Sequence, residues 1–177
     1  PAEVPPHTLM LGRRVRELLE VFFRRLLLAK VFSLFLHLPS ATDAALGTPG
    51  WDTFSALSPV PHLGGDVDWQ TQAEPYRAAI EQHLARTMLP ALGDAIVSSR
   101  VTTPLDFRDR LSSFQGAGFS FEPILRQSAW FRPHNRSEDV DRLFIVGAGT
   151  HPGAGIPGVL SSARVLDKVV PDAVDLY

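Results

Sequence analysis

Cysteine is absent from the 177 residues of this chain, so disulfides and thiolate metal sites are excluded. No apolar run reaches the ~18 residues that a membrane-spanning helix needs, and no signal peptide is visible. A formal net charge of −2 gives no reason to expect a nucleic-acid partner. The first residue is proline and not methionine, from which we expect a segment of a longer protein.

The common catalytic motifs are also missing. The chain has no G-x-S-x-G nucleophile elbow, no H-E-x-x-H and no G-x-x-x-x-G-K-[ST], so metal hydrolysis and P-loop phosphoryl transfer have no support. His37 and His62 stand alone beside apolar runs, without a second ligand at metal spacing, and no metal is predicted. No residue stands out as a catalytic acid or base. The sequence therefore favours a cofactor that carries the chemistry while the protein supplies position and electrostatics.

The most informative stretch runs from Leu143 to Ala163. A short apolar run predicts a buried strand over 143–146, and glycine then recurs five times between Gly147 and Gly158. Pro157 suits the first turn of a helix. Bare glycine backbone followed by a helix start suits a phosphate or the electron-rich end of a cofactor. The alternative is a tight strand-to-helix turn that needs glycine only for packing. The spacing is not the G-x-G-x-x-G of a Rossmann first turn, so this loop can close a cofactor site but cannot form all of one.

The remaining pattern predicts an α+β or mixed α/β fold for residues 1–177 as a single fragment. An α+β region of about 1–140 is followed by a strand–loop–helix of about 141–170. Thr71 and Glu74 have capping-box spacing at the start of a helix that carries an apolar stripe. The predicted elements are a basic amphipathic helix over 13–28, strands over 31–38, 54–58 (pairing with the previous one) and 95–103, helices over 71–88 and 106–111, and a close-approach loop over 114–121. The basic helix is either an ordinary surface helix or a membrane-surface contact.

Residues 146–159, which read VGAGTHPGAGIPGV, resemble the C-terminal flavin motif of the bacterial-type phytoene desaturases in the FAD-dependent amine-oxidase-like superfamily. SPVPHL at 58–63, TPLDF at 103–107 and QSAWFRPHN at 127–135 resemble further signatures of that family, in the same order. The resemblance covers the chain from about Pro6 to its last helix. Such a collinear series is highly specific.

The resemblance implies the C-terminal part of an FAD/NAD(P)-binding-type flavoenzyme that dehydrogenates phytoene or a related carotenoid. Residues of about 1–140 would form its substrate-side region, with much of the substrate-side sheet, and about 141–170 would complete its FAD site. Its partners would be a lipophilic polyene, a peripheral membrane surface of the cytoplasm, and a dinucleotide-binding half that this chain lacks. Without that half we expect the chain alone to be inactive. The predicted cofactor-binding residues are Gly147, Ala148, Gly149, Thr150, Gly155, Gly158 and Val159, the last two through free N–H groups after Pro157.

The implied substrate has no polar handle, so its site should be an apolar tunnel. Candidate lining residues are Phe54, Phe119, Phe121, Trp130 and Phe131, although each residue of this kind is more often plain core. Arg132 and His134 precede the glycine loop, where a salt bridge or loop anchor suits Arg132 and a turn cap suits His134. Three alternatives stay open: a carotenoid isomerase or retinol-saturase-like relative, an inert fragment without cofactor, and a membrane-surface module built on the basic helix.

Overall fold

The computed structural model describes residues 4–12, 20, 24–28, 32–122 and 124–171. Within them lie the strands β1 (His7–Met10), β2 (Leu34–His37) and β3 (Ser55–Leu57), and the helices α1 (Trp69–Thr87), α2 (Leu92–Ala95), α3 (Pro104–Leu111) and α4 (Ile156–Val169). Most of the predicted basic helix over 13–28 lies outside the described residues. The architecture is mixed α/β, as predicted.

The three strands form an antiparallel sheet in the order β1-β2-β3, with His7 opposite His37 and Phe35 opposite Leu57. The predicted pairing of the second and third strands is therefore confirmed. Leu34 and Leu36 alternate with Phe35 along β2, which places the two leucines on the inner face. The other face carries His7 stacked on His37, with ring centroids 4.5 Å apart.

Helix α1 supplies the partner for the inner face of the sheet. Its Leu84 forms a buried cluster with the β2 leucines, all at 1% exposure or less. The stripe predicted for this helix is confirmed, since its members are all buried or half-buried: Ala73, Tyr76, Ile80, Leu84 and Met88. Burial raises the pKa of the Tyr76 hydroxyl, which lies 2.9 Å from the hydroxyl of Ser58.

Several local predictions are wrong. The cap of α1 is Asp68, whose carboxylate accepts from the N–H of Gln70 at 3.0 Å, while Glu74 pairs with Arg77, so no capping box forms there. Asp68 takes the cap because its short carboxylate reaches the first free N–H groups of the helix. The predicted strand over 95–103 is absent: its start belongs to α2 and the rest has no regular structure, having no paired edge beside it.

The predicted helix over 106–111 is confirmed and begins two residues earlier, at Pro104. The loop over 114–121 begins with a short 3-10 turn, Phe114–Gly116. The expected strand over 143–146 is reduced to one antiparallel bridge between Phe144 and Arg136. A strand needs a continuous ladder of partners, and one bridge supplies none on either side.

The chain forms two compact units, Pro1–Arg110 with the sheet and α1, and Leu111–Tyr177 with the glycine loop and α4. The division near residue 140 into a substrate-side region and a segment that completes the FAD site concerns function, and it stays a prediction. Within the described ranges, no helix has both the length and the apolar run needed to cross a bilayer.

Candidate functional site

The glycine loop is a tight turn followed by two further glycine-dependent bends. The N–H of Thr150 donates to the carbonyl of Gly147 at 3.2 Å, which closes the turn over 147–150. Gly147, Gly153 and Gly155 have φ values of +125°, +138° and +88°. L-residues rarely adopt this region, so the conformation of the loop depends on glycine at these three positions.

Helix α4 begins directly behind this loop, at Ile156, with Gly155 as its N-cap and Pro157 at its second position. The helix start predicted from Pro157 is thus confirmed. A Cβ on Gly158 would lie only 2.5 Å from the carbonyl oxygen of Gly153, so this glycine is needed for close packing. The N–H of Val159 donates to Gly155 at 2.9 Å. The expectation that this N–H is free is wrong, because the helix ladder starts one residue earlier than Pro157 implies.

At the turn and the helix start, none of the described residues accepts a hydrogen bond from the N–H of Ala148, Gly149, Ile156 or Gly158. Gly147, Ala148 and Gly149 are half-buried, and the space where a Cβ of Gly147 would stand is open. The N-terminus of α4 adds partial positive charge. This arrangement suits an electron-rich or anionic ligand.

Arg132 contacts the glycine loop at two positions. Its guanidinium donates to the carbonyl of Ala148, and its side chain also lies against Gly153, where a Cβ would come 3.2 Å from Nε. The residue is only 6% exposed. The loop-anchor role expected for Arg132 is confirmed. A glycine is required at 153 partly because this arginine occupies the adjacent space.

Asn135 and Ser162 also support the loop, and the sequence did not identify them. Asn135 is 3% exposed and Ser162 is fully buried, at 0%. The Oγ of Ser162 accepts from the N–H of Gly147 at 3.1 Å and lies 2.7 Å from the hydroxyl of Thr150. The spacing of apolar residues along α4 gave no signal for Ser162, because Val159, Leu160 and Ala163 are exposed while the serine is buried.

Of the predicted tunnel residues, Phe54 lies in the first compact unit and the other four lie in the second. Phe54 packs against the buried cluster of Leu34, Leu36 and Leu84, and Phe119 is 70% exposed. Phe121, Trp130 and Phe131 do line one open pocket of about 590 Å³. The same pocket is also lined by Arg132, His134, Arg136, Glu138 and Asp139. The pocket is therefore mixed in character, and the tunnel stays a prediction.

His134 makes a contact that differs from the turn cap suggested for it. Its Nδ1 lies 2.8 Å from the carboxylate of Glu138, and its ring centroid lies 4.9 Å from that of Trp130. The pair lies at the pocket. The imidazole within the glycine loop itself, that of His151, lies with its Nδ1 3.0 Å from the carbonyl oxygen of Ala129. Over the same residues, no cluster of three His, Cys, Asp or Glu side chains could hold a metal ion.

Comparison of the sequence with known proteins identifies relatives of this chain. Residues 48–165 match the sequence profile of the family described as flavin containing amine oxidoreductase. The neurosporene-forming phytoene desaturase of Cereibacter sphaeroides is 54% identical over 97% of this chain and 33% of its own length. The lycopene-forming phytoene desaturase of Pantoea ananas is 48% identical over 89% of the chain and 32% of its own length.

A more distant relative is the 4,4'-diapophytoene desaturase of Staphylococcus haemolyticus, 37% identical over 81% of the chain and 29% of its own length. The chain spans about a third of the length of the curated relatives it matches.

Proposed function

The chain belongs to the flavin-containing amine oxidoreductase family, and on that premise we propose that it supplies the FAD-closing segment of a carotenoid desaturase. The observation that carries the proposal is the half-buried turn over 147–150, with unpaired N–H groups backed by the start of α4. The names of the relatives favour phytoene or a related polyene as the substrate. The sister activities of the superfamily share the flavin loop, so substrate turnover must separate them.

The residues of the loop fit a flavin dinucleotide. FAD carries an anionic pyrophosphate, and its isoalloxazine ring gains negative charge on reduction, so both ends favour N–H donors. The N–H groups of Ala148, Gly149 and Gly158 are available, and the loop over 147–155 contains no carboxylate to repel an anion. The open space beside Gly147 permits a ligand to approach the backbone closely.

When bound, FAD would supply the oxidant: it would take up a hydride and a proton overall from adjacent carbons of the polyene, so that their single bond becomes C=C and the flavin is reduced. This chain contributes orientation and charge. A helix N-terminus aimed at developing negative charge contributes ~0.3–2 kcal/mol. The candidate donor for this interaction is the N–H of Gly158, in the first turn of α4. Glycine is required there since any larger residue meets the carbonyl of Gly153.

A polyene dissolves in the bilayer, so we propose that the protein acts in the cytoplasm at a membrane surface, joined to a dinucleotide-binding half. The exposed Arg24 and Arg25 are candidate contacts with anionic lipid. Binding to anionic vesicles should fall as salt rises and should fall when both are changed to Glu. If vesicle binding is unchanged both by added salt and by the two substitutions, the membrane contact is refuted, whereas the flavin proposal is unaffected.

Flavin retention by a chimera tests the central proposal. This chain replaces the matching third of the Cereibacter sphaeroides relative, and the purified, desalted protein is assayed for bound FAD by absorbance and for conversion of phytoene. Ala148→Glu and Ala148→Gln are compared, because they add side chains of the same size and differ in charge. We expect Ala148→Glu to weaken retention more than Ala148→Gln.

Ser161→Glu is the matched control, since Ser161 is exposed on α4 and its replacement adds the same charge outside the turn over 147–150. A folded chimera that emerges colourless refutes the proposal and favours a module without cofactor. Retention of FAD without turnover of phytoene favours a sister activity. Equal retention by Ala148→Glu and Ala148→Gln refutes the assignment of the turn to an anionic part of the cofactor.

A further inference from the structure

Three buried polar side chains meet behind the glycine turn, although they are far apart in sequence. Asn135, Thr150 and Ser162, which we call the buried polar triad, are 3%, 6% and 0% exposed. Asn135 precedes the loop, Thr150 ends the turn and Ser162 lies on α4. Polar groups this deeply buried are costly unless they are hydrogen-bonded, and each of these is.

In each hydrogen bond of the triad, the donor and the acceptor can be assigned. The Nδ2 of Asn135 and the N–H of Gly147 both donate to the Oγ of Ser162, at 2.9 and 3.1 Å. These two donors occupy both lone pairs of the hydroxyl. The hydroxyl proton of Ser162 must therefore go to the Oγ1 of Thr150, 2.7 Å away. Thr150 in turn donates its own proton to the carbonyl of Gly147 at 3.0 Å.

The triad joins three segments of the chain at one point. The Nδ2 of Asn135 shares its two protons among three acceptors, because it also donates to the carbonyls of Ile145 and Ser162, at 3.1 and 3.2 Å. The backbone carbonyl of Asn135 accepts from the N–H of Ile145 at 2.9 Å. The segment entering the loop, the turn itself and α4 are thus tied together. The N–H and the carbonyl of Gly147 are both held inward.

We propose that the buried polar triad is the positioning device that fixes the outward direction of the free N–H groups at the turn. The inference rests on the proposed flavin site, and it changes the role expected for Thr150. Both the N–H and the O–H of Thr150 are used on Gly147, so neither is left to donate to a cofactor. Asn135, Thr150 and Ser162 are positioning residues, acting on the cofactor through the backbone of Ala148 and Gly149.

The first experiment needs no flavin. Amide hydrogen exchange of Gly147, followed by NMR in the chain itself, reports whether its N–H is held by Ser162. We expect Ser162→Ala to accelerate this exchange on the order of tenfold or more. Ser161→Ala is the matched control, because it removes the same hydroxyl from the next, exposed position of α4, and it should leave the rate within about twofold.

Thr150 separates a positioning role from direct contact. Thr150→Val keeps the shape and removes the hydroxyl, whereas Thr150→Ser keeps the hydroxyl. We expect Thr150→Val to accelerate Gly147 exchange in the cofactor-free chain and to raise the dissociation constant for FAD in the chimera. Thr150→Ser should restore both values towards those of the unaltered protein.

The outcomes are distinguishable. Weaker FAD binding by Thr150→Val with unchanged Gly147 exchange means direct contact and overturns the proposal. Unchanged exchange in both Ser162→Ala and Thr150→Val also overturns it. A colourless unaltered chimera refutes the proposed function instead, while the exchange measurements still decide what holds the turn. If Ser162→Ala fails to fold by circular dichroism, Thr150→Val and Thr150→Ser decide the question.

Discussion

The close contact between Gly158 and Gly153 yields the sharpest prediction about stability. An added methyl at 158 would stand 2.5 Å from the Gly153 carbonyl oxygen, a backbone atom that cannot rotate away. Replacing glycine by alanine inside a helix normally stabilises by ~0.5–1 kcal/mol. Overpacking normally costs ~1–3 kcal/mol. The difference between these two effects is a net loss, so we expect Gly158→Ala to lower the free energy of unfolding by up to ~2.5 kcal/mol.

Gly93→Ala is the matched control, because Gly93 also lies in a helix and its Cβ would meet nothing within 4 Å. That substitution should raise the free energy of unfolding by up to ~1 kcal/mol. Both variants are measured by urea unfolding followed by circular dichroism. If Gly158→Ala proves as stabilising as Gly93→Ala, the steric reasoning is refuted. The close packing assigned to the start of α4 would then fail with it.

Three further perturbations test other parts of the fold. Asp68→Ala should lower the free energy of unfolding by ~1 kcal/mol through loss of the α1 cap, whereas Glu74→Ala should cost far less in the same urea assay; the reverse order would restore the capping box. Leu84→Ala should cost ~2–5 kcal/mol, measured the same way, because the side chain is 1% exposed; a loss below 1 kcal/mol would contradict the assigned core. The carboxylate of Asp106 accepts from the N–H of Thr103 at 2.7 Å, which lowers the pKa of Asp106 below its ordinary value of 3.8. The contribution of the Asp106 carboxylate to the free energy of unfolding is present above pH 3.8 and is lost as the pH falls through the lower folded-state pKa. Asp106→Asn should therefore make the free energy of unfolding fall less steeply as the pH is lowered. An unchanged dependence on acid pH would refute this assignment.

Strong local patterns predicted their elements correctly. The apolar stripe of α1 follows the helical period and faces the sheet, because burial of one face decides the element. The aromatic-rich run ending before Pro39 likewise yields β2, and Pro157 marks the start of α4. The strand predicted from the run over 95–103 does not form, because a strand also needs a paired neighbour, which no local pattern encodes.

The candidate site divides in the same way. The glycines of the loop were visible as a motif, and the family followed from that motif together with three collinear signatures. Asn135 and Ser162 were not identified, since they lie 27 positions apart and each residue alone resembles an ordinary polar residue. The N–H of Val159 was assigned as free because its partner depends on where the helix ladder begins.

The sequence by itself determined the family, the glycine-dependent turn and the helix behind it, because these depend on residue types that few alternatives can replace. Only the tertiary structure decided which donors of the turn remain free and which are held inward. It also decided that Gly158 serves close packing and that Thr150 bonds inward to Gly147 and Ser162. The physical reason is that hydrogen-bond pairing and steric contact are set by atoms distant in sequence, whose approach no local pattern specifies.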